Sequence, residues 1–167
     1  MKESQMDILF ENNLVQNAGL ASCAIFEAVR GFYEVRNAEA GMPFPFVFLV
    51  LPLVFHKRTA DGMKNRKGKG LLFKAIKDDP EIPVGLQARM EALAGKTWEA
   101  LSLAIAANTL ALDPDTAEVF PRMGSLPKAA LPDLPPVKDI LKASKRVGRA
   151  FAEHSEEEIL KILKVVF

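Results

Sequence analysis

Gly41-Met42-Pro43-Phe44-Pro45-Phe46-Val47-Phe48-Leu49-Val50-Leu51-Pro52-Leu53-Val54-Phe55-His56-Lys57 is a dense apolar run, entered through prolines and cut off by a basic, glycine-containing segment. Phe46 to His56 is apolar almost throughout, so its periodicity suits both a buried strand and a helix that is hydrophobic all round. Pro52 inside the run would remove a ladder donor and argues against a central strand. A central helix is therefore expected, kinked or started late by Pro43, Pro45 and Pro52. The run falls short of the roughly 18 to 20 residues that a spanning helix needs, so no membrane segment is expected. It carries no catalytic chemistry, which directs attention to binding and assembly.

Upstream, Leu14, Ala18, Ala21, Ile25, Ala28 or Val29, and Phe32 fall at steps of three and four and predict a helix from about Asn12 to Asn37. Ala18, Gly19, Ala21, Ser22 and Ala24 are small enough to let another helix approach closely. Asn37 to Pro45 reads as a turn, with Gly41 as the helix stop. Downstream, Lys57 to Gly70 is polar and basic and reads as a flexible loop. Leu71, Leu72, Phe73 and Ile76 then mark a short helix ending before Asp78-Asp79-Pro80. A long helix follows from Val84 to Asn108, striped by Leu86, Met90, Leu93, Thr97, Leu101 and Ala104. Asp113-Pro114-Asp115 supplies turn chemistry between two short β-prone arms, so 109–120 reads as a hairpin. Helix 46–56, helix 69–77, helix 84–108 and then a hairpin is the order of a winged-helix domain.

Pro121 to Pro136 holds five of the eleven prolines and reads as a stiff strap across a surface. Val137, Ile140, Leu141, Ser144, Val147, Gly148 and Phe151 stripe a helix beyond it. Ser155 with Glu158 three residues on forms a capping box that opens a last helix. The expected architecture is mainly α with a minor β part: a winged-helix-like helical domain with one β-hairpin over 1–120, a Pro-rich strap over 121–136, and a C-terminal helix pair over 137–167. That pair is expected to dock on the domain or on a partner.

The 49% hydrophobic content, with eleven phenylalanines, suffices for a core without disulfides. Twenty-two basic residues against 21 acidic leave a formal net charge of +1, which argues against a general nucleic-acid coat or a polybasic membrane binder. Lys2, Glu3 and Asp7 precede only the brief apolar patch Ile8-Leu9-Phe10, so no export signal is expected. Cys23, the one cysteine, forbids an internal disulfide and fits a reducing cytoplasm; its spacing to Ala24, Ile25 and Ala28 reads as a small core residue. His56 and His154 lie far apart, so neither a zinc site nor another cofactor is expected. His56 reads as a helix-end residue and His154 as solvent-facing in a turn. Gly62 and Gly68-Lys69-Gly70 lack the Ser or Thr and the preceding strand of a phosphate-binding loop. Asp113 and Asp115 suit a hairpin tip. No catalytic set emerges, and no enzyme is expected.

Two basic clusters remain. The first runs from Lys57 to Lys77, with Lys57, Arg58, Lys64, Arg66, Lys67 and Lys69 as its candidate contacts, and Lys142, Lys145, Arg146 and Arg149 belong to the second together with Lys138. Both read as solvated faces or as contacts to DNA phosphates or an acidic partner surface, the former sequence-independent and salt-sensitive.

Asn12-Asn13, Phe26, Phe32-Tyr33, Gly41-Met42-Pro43-Phe44-Pro45 and the run from Phe48 to Lys57 resemble the small middle component of bacterial ABC three-component systems, which overlap with Lamassu-type anti-phage and anti-plasmid defences. Ser144-Lys145-Arg146-Val147-Gly148-Arg149-Ala150-Phe151 and Glu158 to Val165 are similar to that family's ending. The basic 57–70 segment is a departure from the pattern. The resemblance implies a non-catalytic subunit between an SMC- or Rad50-like ABC ATPase and an effector, often a nuclease. It would hold the effector inactive, or in register, until the ATPase engages foreign DNA. DNA contact is then expected through the complex. Ile159, Leu163, Val166 and Phe167 are expected partner-docking residues, because an apolar C-terminus on a soluble chain asks for a cover. The alternative is a stand-alone winged-helix DNA-binding regulator with helix 84–108 in the major groove. Its surface is thinly basic for that, with Arg89 and Lys96 offset by Glu91 and Glu99.

Overall fold

The computed structural model describes residues 13, 16–127 and 131–167. The element order is α1 (Ala18–Val35), β1 (Met42–Pro43), α2 (Phe44–Val54), α3 (Lys57–Lys64), α4 (Leu71–Asp78), α5 (Leu86–Ala106), β2 (Leu110–Asp113), β3 (Glu118–Pro121), α6 (Pro135–Ala152) and α7 (Glu156–Leu163). The molecule is mainly helical, with one small antiparallel sheet in the strand order β1-β3-β2.

The proline-flanked run is the central helix α2. Pro45 sits in its first turn, where a missing N–H costs nothing. Pro52 lies inside it, and the Nε of Arg89 reaches the Pro52 carbonyl at 3.4 Å. Phe46, Val47 and Leu49 through Val54 are buried, wrapped by α1, α5 and α6. A helix apolar on every side is stable only when other helices cover every side.

Asn17 caps α1, its side chain accepting from Leu20 N at 3.0 Å, so the long helix starts at Ala18 rather than near Asn12. Leu14 and Asn12 lie outside the described residues. Asn37 and Ala38, both at positive φ (53° and 60°), turn the chain after α1. Gly41 is therefore not the stop. A Cβ there would lie 2.8 Å from the Val119 carbonyl oxygen, so Gly41 allows β3 to approach.

Residues 57–64 form a helix, not the expected loop. Thr59, Ala60 and Met63 bury one face of α3, chiefly against α6, and Lys64 binds Asp61 at 3.0 Å and Asp139 at 2.9 Å. Burial on one face overrides the weak propensity of a Gly- and Lys-rich segment. The hairpin pairs Leu110 with Pro121 through Asp113 with Glu118. Asp113 Oδ1 accepts from Asp115 N at 2.9 Å in its turn. β1 adds a third strand, pairing Met42 with Val119 and Pro43 with Glu118. Helix, short strand, helices and hairpin, with the first strand beside the last, are compatible with a winged-helix arrangement that carries α3 as an extra helix.

α6 begins at Pro135 in the strap itself, since Pro135 and Pro136 fit the first turn of a helix. Ala143, Val147, Ala150, Phe151, Ile159 and Leu163 join the same hydrophobic cluster as α1 and α2, and the Phe151 and Phe46 rings lie 5.2 Å apart.

Candidate functional site: a basic cleft

The site begins with a helix crossing. A Cβ on Gly148 would stand 1.8 Å from the Ala28 carbonyl oxygen, and one on Gly31 would stand 2.3 Å from the Lys145 carbonyl oxygen. α1 and α6 thus meet backbone to backbone. With Val147, Gly148 and Phe151 turned inward, the steps from Lys142 to Lys145, Arg146 and Arg149 fall on the opposite, outward stripe.

That stripe is one wall of a cavity of about 540 Å³. The segment between α3 and α4 is the other, contributing Arg66, Lys67, Gly68 and Lys69, with Leu71 behind them. The two basic clusters of the sequence converge here. Glu153 is the one carboxylate in the lining; its Oε2 accepts from Gly70 N at 2.7 Å and ties the segment to the end of α6. Gly68 (φ 88°) and Gly70 (φ 68°) allow the segment to turn, with open space around each. Gly70 is the N-cap of α4 and offers no side-chain cap; Leu71, the first residue of that helix, lines the cavity, so the positive end of the helix dipole borders it.

The cations divide by what they touch. Arg66 binds Asp78 at 2.7 Å, and its Nε donates to the Gly62 carbonyl at 2.7 Å. Lys145 binds Glu34 at 3.0 Å. Among the described residues, Lys67, Lys69, Lys142, Arg146 and Arg149 have no carboxylate partner. Three predicted contact residues lie elsewhere. Arg58 is taken up by Asp79 and Glu81, which raise its pKa, and Lys64 by Asp139 and Asp61, which do the same. Lys57 is exposed at the start of α3 and does not line the cavity. Lys138 pairs with Asp133.

Among the predicted docking residues, Ile159 and Leu163 are fully buried in this chain's own core. The capping box fixes them there: Ser155 Oγ accepts from Glu158 N at 3.2 Å and Glu158 Oε2 from Ser155 N at 2.9 Å. Val166 and Phe167 are 72% and 58% exposed. The Gln87 side chain clamps the Val166 backbone on both sides, accepting from its N–H at 3.0 Å and donating to its C=O at 3.2 Å. The tail is held with both apolar side chains outward.

His56 caps the start of α3 and touches Thr59 Oγ1 through Nδ1 at 2.9 Å. Burial, then Arg89 and Arg58, push its pKa down. His154 is not solvent-facing: it stands edge-on to Phe73, centroids 4.8 Å apart, with Nδ1 3.7 Å from Glu158. Cys23 is half-buried at the edge of the core rather than inside it, and burial with the nearby Glu27 raises its pKa, keeping the thiol protonated. Two side chains carry roles that their spacing hides. Arg89 satisfies the carbonyls of Ile82 at 3.1 Å and Val84 at 2.9 Å besides Pro52. Trp98, about half exposed, closes an aromatic cluster with Phe44 and Phe48 at 5.4 and 5.3 Å.

No group of three His, Cys, Asp or Glu that could hold a metal occurs among the described residues, and no helix among them is long and apolar enough to cross a membrane. The fold and cleft describe a mainly helical protein with a basic-lined cavity and exposed apolar residues at Val166 and Phe167. Residues 6–167 match the family of the ABC-three component (ABC-3C) system Middle Component 3, and the chain belongs to that family. No match was found among curated proteins or solved structures.

Proposed function

We propose that this middle component is a non-catalytic bridging subunit in the cytoplasm, linking an SMC- or Rad50-like ABC ATPase to an effector, often a nuclease, in a Lamassu-like defence system. The observation that carries this reading is the exposed apolar tail: Val166 and Phe167 are presented outward by the Gln87 clamp, on a chain matched by the middle-component family over residues 6–167. A fixed, uncovered aromatic and aliphatic pair is suited to a partner's pocket. The basic cleft is a second contact face, for DNA reached through the complex or for an acidic partner surface. Both histidines are engaged in local contacts, which fits work by binding.

The stand-alone regulator draws less support. Arg89 is spent on backbone carbonyls, and Lys96 is held by the Gln16 carbonyl and Glu99. The outward face of α5 shows Glu91, Trp98, Glu99, Leu103 and Ile105, where a recognition helix needs Arg, Asn or Gln aimed at base edges.

Co-expression with the products of the adjacent genes, pulling on this chain, tests the reading. A defined complex containing a large ATPase is expected, and Val166→Ser/Phe167→Ser should release it without lowering the melting temperature of the free chain. A lone monomer or homodimer overturns the bridging role.

A further inference from the structure

We propose that the cleft between the 65–70 segment and α6 is a phosphate site that takes the backbone of a nucleic acid strand without reading its bases. The inference rests on the reading of the cleft as a contact face and names its ligand. Three features point to phosphate. First, Lys67 and Lys69 on one wall and Lys142, Arg146 and Arg149 on the other carry no carboxylate partner among the described residues, although 21 acidic residues are present in the chain. Cations facing one another across a concavity repel, and a compact polyanion between them relieves that repulsion. Second, Leu71, the first residue of α4, lines the same space, so the start of that helix borders the cleft, where the helix dipole favours an anion. Third, the cleft already receives an anion from the chain itself, the Glu153 carboxylate on Gly70 N–H.

The lining also says what kind of phosphate ligand fits. It contains no aromatic side chain for stacking a base and no Asn or Gln for reading one. Its apolar members, Val35, Leu71 and Ala150, are small or aliphatic. From Lys142 to Arg149 the cations run about 10 Å along α6 at 1.5 Å per residue. That is the axial rise of about three nucleotides of a strand at 3.4 Å each. A row of evenly spaced phosphates matches this length better than a single terminal group. The flexible stems and planar forks of Arg146 and Arg149 suit two-point contact with phosphate oxygens.

The test is fluorescence anisotropy of the full-length chain with a labelled mixed-sequence strand, single or annealed, across a salt series. Saturable binding is expected, equal for unrelated sequences. With about five cations engaged, the slope of log affinity against log salt should be about −4.5 for duplex. Lys142→Glu/Arg149→Glu should weaken binding about tenfold or more and reduce the slope by about two. Both positions are exposed, so the folded state is retained, which the melting temperature checks; Lys67→Gln/Lys69→Gln on the opposite wall is the second variant. Lys77→Glu/Lys161→Glu, with the same charge change outside the cleft, should bind normally. Absence of saturable binding, or equal loss in that control, overturns the proposal. Displacement of the strand by inorganic tripolyphosphate far below the matched phosphate concentration assigns the site to a compact free polyphosphate and also overturns it. So does a cleft variant that binds the strand normally and loses a co-purifying partner, since the surface is then an acidic-protein contact. Strand binding lost only in the cleft variants supports it even if no ATPase co-elutes, an outcome in which the bridging role fails and the phosphate site stands.

Discussion

His56 shows how one side chain ties the central helix to the basic segment. It stands at the N-cap position of α3 directly after α2 ends, and its imidazole feels the charges of Arg89, Arg58 and Asp79. Burial and the two guanidiniums outweigh the carboxylate, so the folded chain takes up the proton less readily than the unfolded chain. The sign follows: stability falls as the pH drops through the ordinary histidine value of 6.5, and levels off below the lower value of the folded state. Denaturant unfolding between about pH 7.5 and pH 5 should show this slope, flattened in His56→Gln. A slope unchanged by the substitution would place the acid sensitivity elsewhere. Glu158 acts in the same direction at lower pH. The Ser155 N–H holds its carboxyl below the ordinary 4.5, so its contribution is present above that value and is lost as the pH falls through the folded value.

The crossing of α1 and α6 governs the geometry of the cleft. Gly148→Ala must push a methyl group into the Ala28 backbone, and backbone cannot swing aside as a side chain does. The expected cost is about 1–3 kcal/mol, or roughly 5 °C in melting temperature for a chain of this size. Gly95 in the middle of α5 is the contrast. It has nothing within 4 Å of a new Cβ, so Gly95→Ala should stabilise by about 0.5–1 kcal/mol through helix propensity alone. Thermal melts of the two variants moving in opposite directions would check the crossing; a neutral Gly148→Ala would refute it. Legibility differed among the elements for local reasons. α5, the hairpin and the capping box of α7 announce themselves through spacing within a few residues. α3 does not, because Lys57 to Lys64 is polar and glycine-containing, and only burial of Thr59, Ala60 and Met63 makes it helical. β1 is two residues long and exists because β3 lies beside it.

For the molecule as a whole, residues 137–167 complete the core rather than ride on it. Phe151 against Phe46, and Ile159 and Leu163 within the common cluster, link the chain's two ends. A single cooperative transition is therefore expected, with Trp98 fluorescence and far-ultraviolet circular dichroism superimposing across a denaturant series. Two separated transitions would show that the C-terminal pair folds apart. The same packing explains the division among the expected docking residues: the stripe of α7 that looked free to meet a partner is consumed at home, and only the last two residues stay uncovered.

The sequence by itself determined the helical class, the hairpin and the capping of α7, because each is written in neighbours a few positions apart; it carried the family in motifs spread along the chain and favoured a helix for the central apolar run. Tertiary structure alone decided which cations form a site. Arg58, Lys64, Lys67 and Lys69 all belong to one basic stretch of sequence, yet the first two reach carboxylates on other parts of the chain and the last two line an open cavity. Only the folded chain makes that separation, since ion pairing depends on distance in space and not along the chain.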